Sequence, residues 1–144
     1  MTPGERAALV PWLTSAQLVL FDSMHVADRR HGLDVVGSLR ASGVTEPDLL
    51  VAGLIHDAGK GETGLWPRVA YALGGRYGTW IWRLASVRPR SRAAMERLRT
   101  HAETSALLAA GAGCSPRTVE LIRQQDAPDD PDLGELLRLA DEAN

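Results

Sequence analysis

The chain has 144 residues, 44% of them hydrophobic and 24% charged, which fits one soluble globular domain with room for a sizeable core. A formal net charge of -2 argues against nucleic acid as a partner, because a nucleic-acid coat draws its affinity from excess Lys and Arg. The lone cysteine, Cys114, excludes an intramolecular disulfide and agrees with a reducing cytoplasm, and no apolar run approaches the ~20 residues of a membrane span.

The start, Met1-Thr2-Pro3-Gly4-Glu5-Arg6, lacks a basic stretch ahead of an apolar core, so no signal peptide is expected. Helix punctuation follows from there. Thr2-Pro3 with Glu5 reads as a cap, a first-turn proline and a first-turn acid, opening a short helix that Pro11 ends. Thr14-x-x-Gln17 has the form of a capping box ahead of Leu18, Val19, Leu20 and Phe21. Asp28 is expected to cap a third helix running to about Ser42, with Gly43 past its end. Thr45-x-x-Asp48, with Pro47 between, opens a fourth that runs into His56-Asp57 and is broken by Gly59 and Gly61.

Pro67 starts a fifth segment, with a kink expected at Gly74-Gly75, continuing through Trp80-Ile81-Trp82. Ser91 opens a long sixth helix to about Ala110. Ser115-Pro116 opens a seventh, and Asp130-Pro131 an eighth that reaches the C-terminus. No alternating strand pattern, internal repeat, low-complexity linker or domain boundary interrupts the series. The expectation is one all-α domain over residues 1–144, a compact orthogonal helical bundle with short connections.

The richest chemistry lies in Leu54-Ile55-His56-Asp57-Ala58-Gly59-Lys60. Burying a carboxylate beside an imidazole is unfavourable unless its charge is compensated, and a divalent cation is an economical compensator. Candidate partners are distant in sequence: His31 upstream, His101 and Asp141 downstream. Helical register turns several of them inward. His31 shares a face with Val35 and Leu39, His56 with Leu49 and Ala52, and Asp141 with Leu133 and Leu137. Adjacent helical residues point about 100° apart, so His56 and Asp57 can share one ion only where the helix ends. Gly59 and Gly61 are expected to supply the backbone freedom for that turn.

His31, then His56-Asp57, then Asp141 resembles the H…HD…D pattern of the HD-domain metal-dependent phosphohydrolase superfamily. Asp28-Arg29-Arg30-His31-Gly32-Leu33 is similar to the family's first-histidine helix, and Leu54-Ile55-His56-Asp57-Ala58-Gly59-Lys60 to its "LLHDxGK" signature. Leu139-Ala140-Asp141, with Asn144 at the last position, resembles the closing "ADxxN"-type helix. His101-Ala102-Glu103-Thr104-Ser105-Ala106-Leu107-Leu108 resembles the "HxExxAxLL" stretch of variants with a second metal. The likeness covers residues from about 14 to 144.

The resemblance implies an HD-type bundle with one divalent transition metal held by His31, His56, Asp57 and Asp141. Two imidazoles and two carboxylates suit Mn, Fe, Co, Ni or Zn better than Ca. It implies hydrolysis of a small phosphate ester, a nucleotide or related compound, in the cytoplasm. Asp57 would be both ligand and orienter of the attacking water, Lys60 a point charge for a phosphate oxygen, and His101 a contact to phosphate or a ligand for a second ion.

The chain also departs from the pattern. Where two-metal relatives supply further histidines, it reads Leu121-Ile122-Arg123-Gln124-Gln125-Asp126, so a mononuclear site is expected, with Asp126 the one residue able to substitute in part. Asp141 lies three residues before the last one, where helices fray. Two other classes follow: an HD-type di-iron oxygenase, disfavoured by the missing histidine, and a catalytically weak HD-fold regulatory or binding module. His25, in Ser23-Met24-His25-Val26, reads as plain surface. Trp66, Tyr71, Tyr77, Trp80 and Trp82 read as core packing, with a membrane-surface face or hydrophobic substrate wall as the sharper option; the same segment offers a face for a homodimer. Arg83, Arg88, Arg90, Arg92, Arg97 and Arg99 read as a solvated helix face.

Overall fold

The computed structural model describes residues 2–60 and 92–144, and in the second stretch side chains from His101 onward. The described residues form seven helices and no strand. They are α1 Pro3–Ala7, α2 Ser15–Ser23, α3 Val26–Ala41, α4 Pro47–Ile55, α5 Arg92–Gly111, α6 Pro116–Arg123 and α7 Leu133–Glu142. The segment from Pro67 through Trp82, with its aromatic residues, lies outside the described residues, as do Gly61 and Ser91 and the side chains of the arginine series.

Local capping explains several boundaries. Thr2 Oγ1 accepts from the Glu5 N–H while Glu5 accepts from the Thr2 N–H, at 3.2 and 2.6 Å. Thr14 and Gln17 do the same for α2, at 3.2 and 2.9 Å. Ser115 Oγ accepts from the Thr118 N–H at 3.0 Å and starts α6. Gly43 and Gly113 take φ of 85° and 74°, the left-handed region that side-chain-bearing residues avoid. That turn lets Val44 N–H reach Leu39 O and Cys114 N–H reach Ala109 O, closing the ends of α3 and α5.

Four expected boundaries are corrected. Helix α1 stops at Ala7, ahead of Pro11, and gives way to single turns such as Trp12 N–H to Leu9 O. Helix α3 begins at Val26, capped by His25, whose Nδ1 accepts from the Ala27 N–H at 3.3 Å. Asp28 therefore sits inside the first turn, where its charge suits the helix dipole and its side chain is free for other work. Thr45 does not cap α4; Glu46 holds the cap position without a side-chain bond. Asp48 instead accepts from Ser115 Oγ at 2.6 Å and Thr118 Oγ1 at 2.9 Å, tying α4 to α6. Helix α7 starts at Leu133, because Asp130 Oδ1 takes the N–H groups of Asp132 and Leu133 and holds Pro131 outside the helix.

Helix α4 is the hub. Every residue from Leu49 to Ile55 is buried, and it packs against α2, α3, α6 and α7. Its uniformly apolar sequence fits a helix enclosed on all sides. Phe21, Leu39, Leu49, Leu54, Ile122 and Leu137 fill the core around it. Helices α3 and α4 meet at backbone distance: a Cβ on Gly32 would fall 2.3 Å from Leu54 O. Helix α1 is strapped on from outside, by Arg6 to Asp22 on α2 and Glu5 to Arg30 on α3. No helix among the described residues is long and apolar enough to cross a membrane.

Candidate metal centre

Three elements bring the side chains of His31, His56 and Asp141 together, with Asp57 beside them. His31 comes from the second turn of α3, beside the Gly32 contact with α4. His56 and Asp57 follow the last residue of α4, where the helix gives way to a tight turn. Asp141 comes from the last turn of α7. The apolar stripes identified by register point inward as expected: Val35, Leu39, Leu49, Ala52 and Leu137 are all buried.

The distances are those of a ligand shell. His31 Nε2 lies 2.7 Å and His56 Nε2 3.0 Å from the same atom, Asp141 Oδ1. These three donors fall within 4.8 Å of one another, making one possible metal-holding group among the described residues. Asp57, expected as a fourth ligand, lies beside this group and not in it, with Oδ1 3.6 Å from His56 Nε2 and Oδ2 3.9 Å from His31 Nε2. Around an ion with bonds of about 2.1 Å, adjacent donors lie about 3 Å apart and opposite ones about 4 Å.

The protons agree with that use. His56 Nδ1 is 3.0 Å from Gly53 O, a group that only accepts, so Nδ1 carries a hydrogen. Nε2 is then a lone pair in the neutral ring, aimed at a carboxylate oxygen. That approach is favourable only with a proton or a cation between the two. Burial pushes the His56 pKa down, but the hydrogen bond with Asp141 and the charges of Asp57 and Asp141 outweigh it and raise it above 6.5. The hydrogen bond from His56 holds Asp141 well below the ordinary carboxylate range, against its partial burial.

Asp57 Oδ1 carries the strongest local signal. Asp57 is 2% exposed, and this oxygen is buried without a hydrogen-bond partner among the described residues. Leaving a carboxylate oxygen unsatisfied in the interior is unfavourable by several kcal/mol, about 1–3 for a neutral group and more for a charged one. An ion bound among His31, His56 and Asp141 would satisfy it. The residues present therefore fit a divalent transition metal.

Gly59 acts differently from expectation. Its φ is not in the left-handed region. It is required by closeness, since a Cβ there would fall 2.5 Å from His101 O and 2.7 Å from Ser105 N. Its N–H donates to the buried Ser105 Oγ at 2.8 Å, pinning the His56–Lys60 turn to α5. His101 thus reaches the edge of the site through its backbone, and its imidazole is not in the converging donor group. Lys60 Nζ lies 2.7 Å from Asp57 Oδ2.

Asp28 escaped the sequence reading as a neighbour of the site. Asp28, three residues before His31 on the same face of α3, senses the charges of Asp57, Lys60 and His31; burial and then Asp57 raise its pKa. The i, i+3 spacing from His31 was the available signal. Asn144 Nδ2 donates to Ser38 Oγ at 2.9 Å and Ala140 O at 2.7 Å, so the turn carrying Asp141 is tied to α3 and not frayed. Gln124 is occupied by Glu120 and Asp129, Gln125 is buried, and Asp126 is exposed. Compared with known proteins, the chain matches no family model, no curated protein and no solved structure.

Proposed function

We propose that this chain is a metal-dependent phosphohydrolase of the HD type, acting on a small phosphate ester such as a nucleotide. The observation that carries the reading is Asp57 Oδ1, buried without a partner among the described residues, beside two imidazole nitrogens and Asp141 that already converge. His31, His56, Asp57 and Asp141 would hold one divalent ion. When bound, such an ion polarises a phosphoryl group and lowers the pKa of water.

The chain's own residues account for the remaining steps. Gly53 O fixes the ring of His56 and leaves Nε2 as the donor. Asp57 orients the attacking water through a carboxylate oxygen. Lys60, with 40% of its side chain exposed, stands on the solvent side of Asp57, where it can neutralise a phosphate oxygen. His101, on the helix pinned to the same turn by Gly59 and Ser105, is the second group proposed to contact the substrate phosphate. In hydrolysis the water oxygen bonds to phosphorus, the P–O bond to the leaving group breaks, and that group takes up a proton. The same reading has the protein working in the cytoplasm on a small molecule.

The test is metal loading followed by a substrate screen. Protein reconstituted with Mn, Co or Ni is expected to hold about one ion per chain and to hydrolyse nucleoside monophosphates or p-nitrophenyl phosphate esters. Asp57→Ala is expected to abolish turnover. Equal traces from the wild type and Asp57→Ala would overturn the hydrolase. Two irons with oxygen consumption would replace it with an oxygenase, and ion binding without turnover with a binding module.

A further inference from the structure

Of the 16 basic residues in the chain, Lys60 is the only lysine; all the others are arginines. Three of the described arginines act as forks. Arg30 grips Asp34 with two nitrogens, Arg6 grips Asp22, and Arg138 grips Glu135. Lysine, a point charge, stands beside the buried Asp57.

The difference matters at this carboxylate. An arginine fork engages both oxygens of its partner, whereas an ammonium engages one. Lys60 Nζ takes Oδ2 at 2.7 Å, while Oδ1, 3.6 Å from His56 Nε2, has no hydrogen-bond partner among the described residues. Without an ion, Lys60 is, among the described residues, the lysine or arginine hydrogen-bonded to an otherwise enclosed carboxylate. An ion held among His31, His56 and Asp141 would share the Asp57 carboxylate with Lys60, and the two cations would repel each other.

The geometry points to Lys60 as a resident counter-cation that sets the metal affinity of this site: it restricts Asp57 to one oxygen and opposes the incoming ion. The inference rests on the metal reading above and deepens it. A rival effect would have Lys60 help binding by orienting Asp57. Burial already holds that side chain, at 2% exposure. At the effective dielectric of a protein site, repulsion between a single and a double positive charge a few ångströms apart also exceeds the net worth of one charge-assisted hydrogen bond.

Opposite changes are therefore expected from two substitutions. Lys60→Met removes the repulsion, and Mn(II) titrated into the protein should bind about tenfold tighter than in the wild type. Lys60→Arg clamps both oxygens of Asp57, and Mn(II) should bind about tenfold more weakly. A purely structural role would weaken binding in both. Should a variant fail to fold, acetylation of the folded wild type neutralises Lys60 as the only lysine, and should tighten Mn(II) binding in the same direction as Lys60→Met. Acetylated Lys60→Met controls for the N-terminal amine.

Unchanged or weaker binding in Lys60→Met and in the acetylated wild type overturns the inference while leaving the metal site intact. Failure of the wild type and of every variant to bind Mn(II), Co(II), Ni(II) or Zn(II) overturns the metal reading itself.

Discussion

Gly32 and Leu54 touch backbone to backbone: the position of a Cβ on Gly32 is 2.3 Å from Leu54 O and 3.0 Å from its carbonyl carbon. The two histidines of the site flank this contact, His31 one residue before Gly32 and His56 two residues after Leu54, with ring centroids 5.2 Å apart. The spacing of the imidazoles is thus set by the closest approach of α3 to α4.

Gly32→Ala should separate those helices, since the obstacle is a carbonyl on a buried helix and no rotamer can yield. We expect a stability loss of about 1–3 kcal/mol in urea denaturation, together with weakened metal binding. An alanine variant with wild-type stability and affinity would show that the helices shift at no cost.

Gly59 and Ser105 form the second clamp, between the His56–Lys60 turn and α5. Ser105→Ala deprives the Gly59 N–H of its partner and should destabilise by about 1–3 kcal/mol. Gly59→Ala drives a methyl group into His101 O and should be the more damaging of the two. Chemical denaturation of both variants ranks them, and the reverse order would be inconsistent with the close approach.

Asn144 holds the end of α7. Its hydrogen bond to Ser38 Oγ is exposed and that to Ala140 O part-buried, so Asn144→Ala should change global stability by no more than about 1 kcal/mol. Its effect should fall on Asp141, within the same turn. Mn(II) affinity is expected to drop several-fold with little change in the denaturation midpoint, and Ser38→Ala should do the same more weakly, because the bond to Ala140 O survives.

The His56–Asp141 pair makes the metal-free protein sensitive to pH in a defined direction. His56 has a folded pKa raised above 6.5, so its contribution is complete below 6.5 and fades as pH rises through the raised value. Asp141 is lowered from 3.8, so its contribution is complete above 3.8 and fades as pH falls through the lowered value. With a chelator present, the pair's support should peak between 3.8 and 6.5 and decline toward alkaline pH. Protons and a metal compete for Nε2, so metal-induced stabilisation should grow over the same alkaline rise. Thermal melts with and without Mn(II) at pH 5.5 and 8.5 measure the gap; a constant gap would contradict the proton competition.

What the sequence determined was local or periodic. The capping boxes at Thr2 and Thr14, the Ser115 cap and the glycines closing α3 and α5 depend on groups within a few residues of each other. Register sufficed to turn His31, His56 and Asp141 inward, because one turn of helix repeats whatever its neighbours do. Tertiary structure decided the rest. The bond of His31 to Asp141 spans 110 residues, and that of Gly59 to Ser105 spans 46. Gly59 is needed for a close approach to α5 and not for backbone freedom, Asp48 serves α6 and not its own helix, and Asn144 finds Ser38 on α3. Which of Asp57's oxygens meets Lys60 and which is left bare is likewise decided by how the helices pack. Such contacts follow from packing angles and backbone distances that no spacing within a single helix encodes.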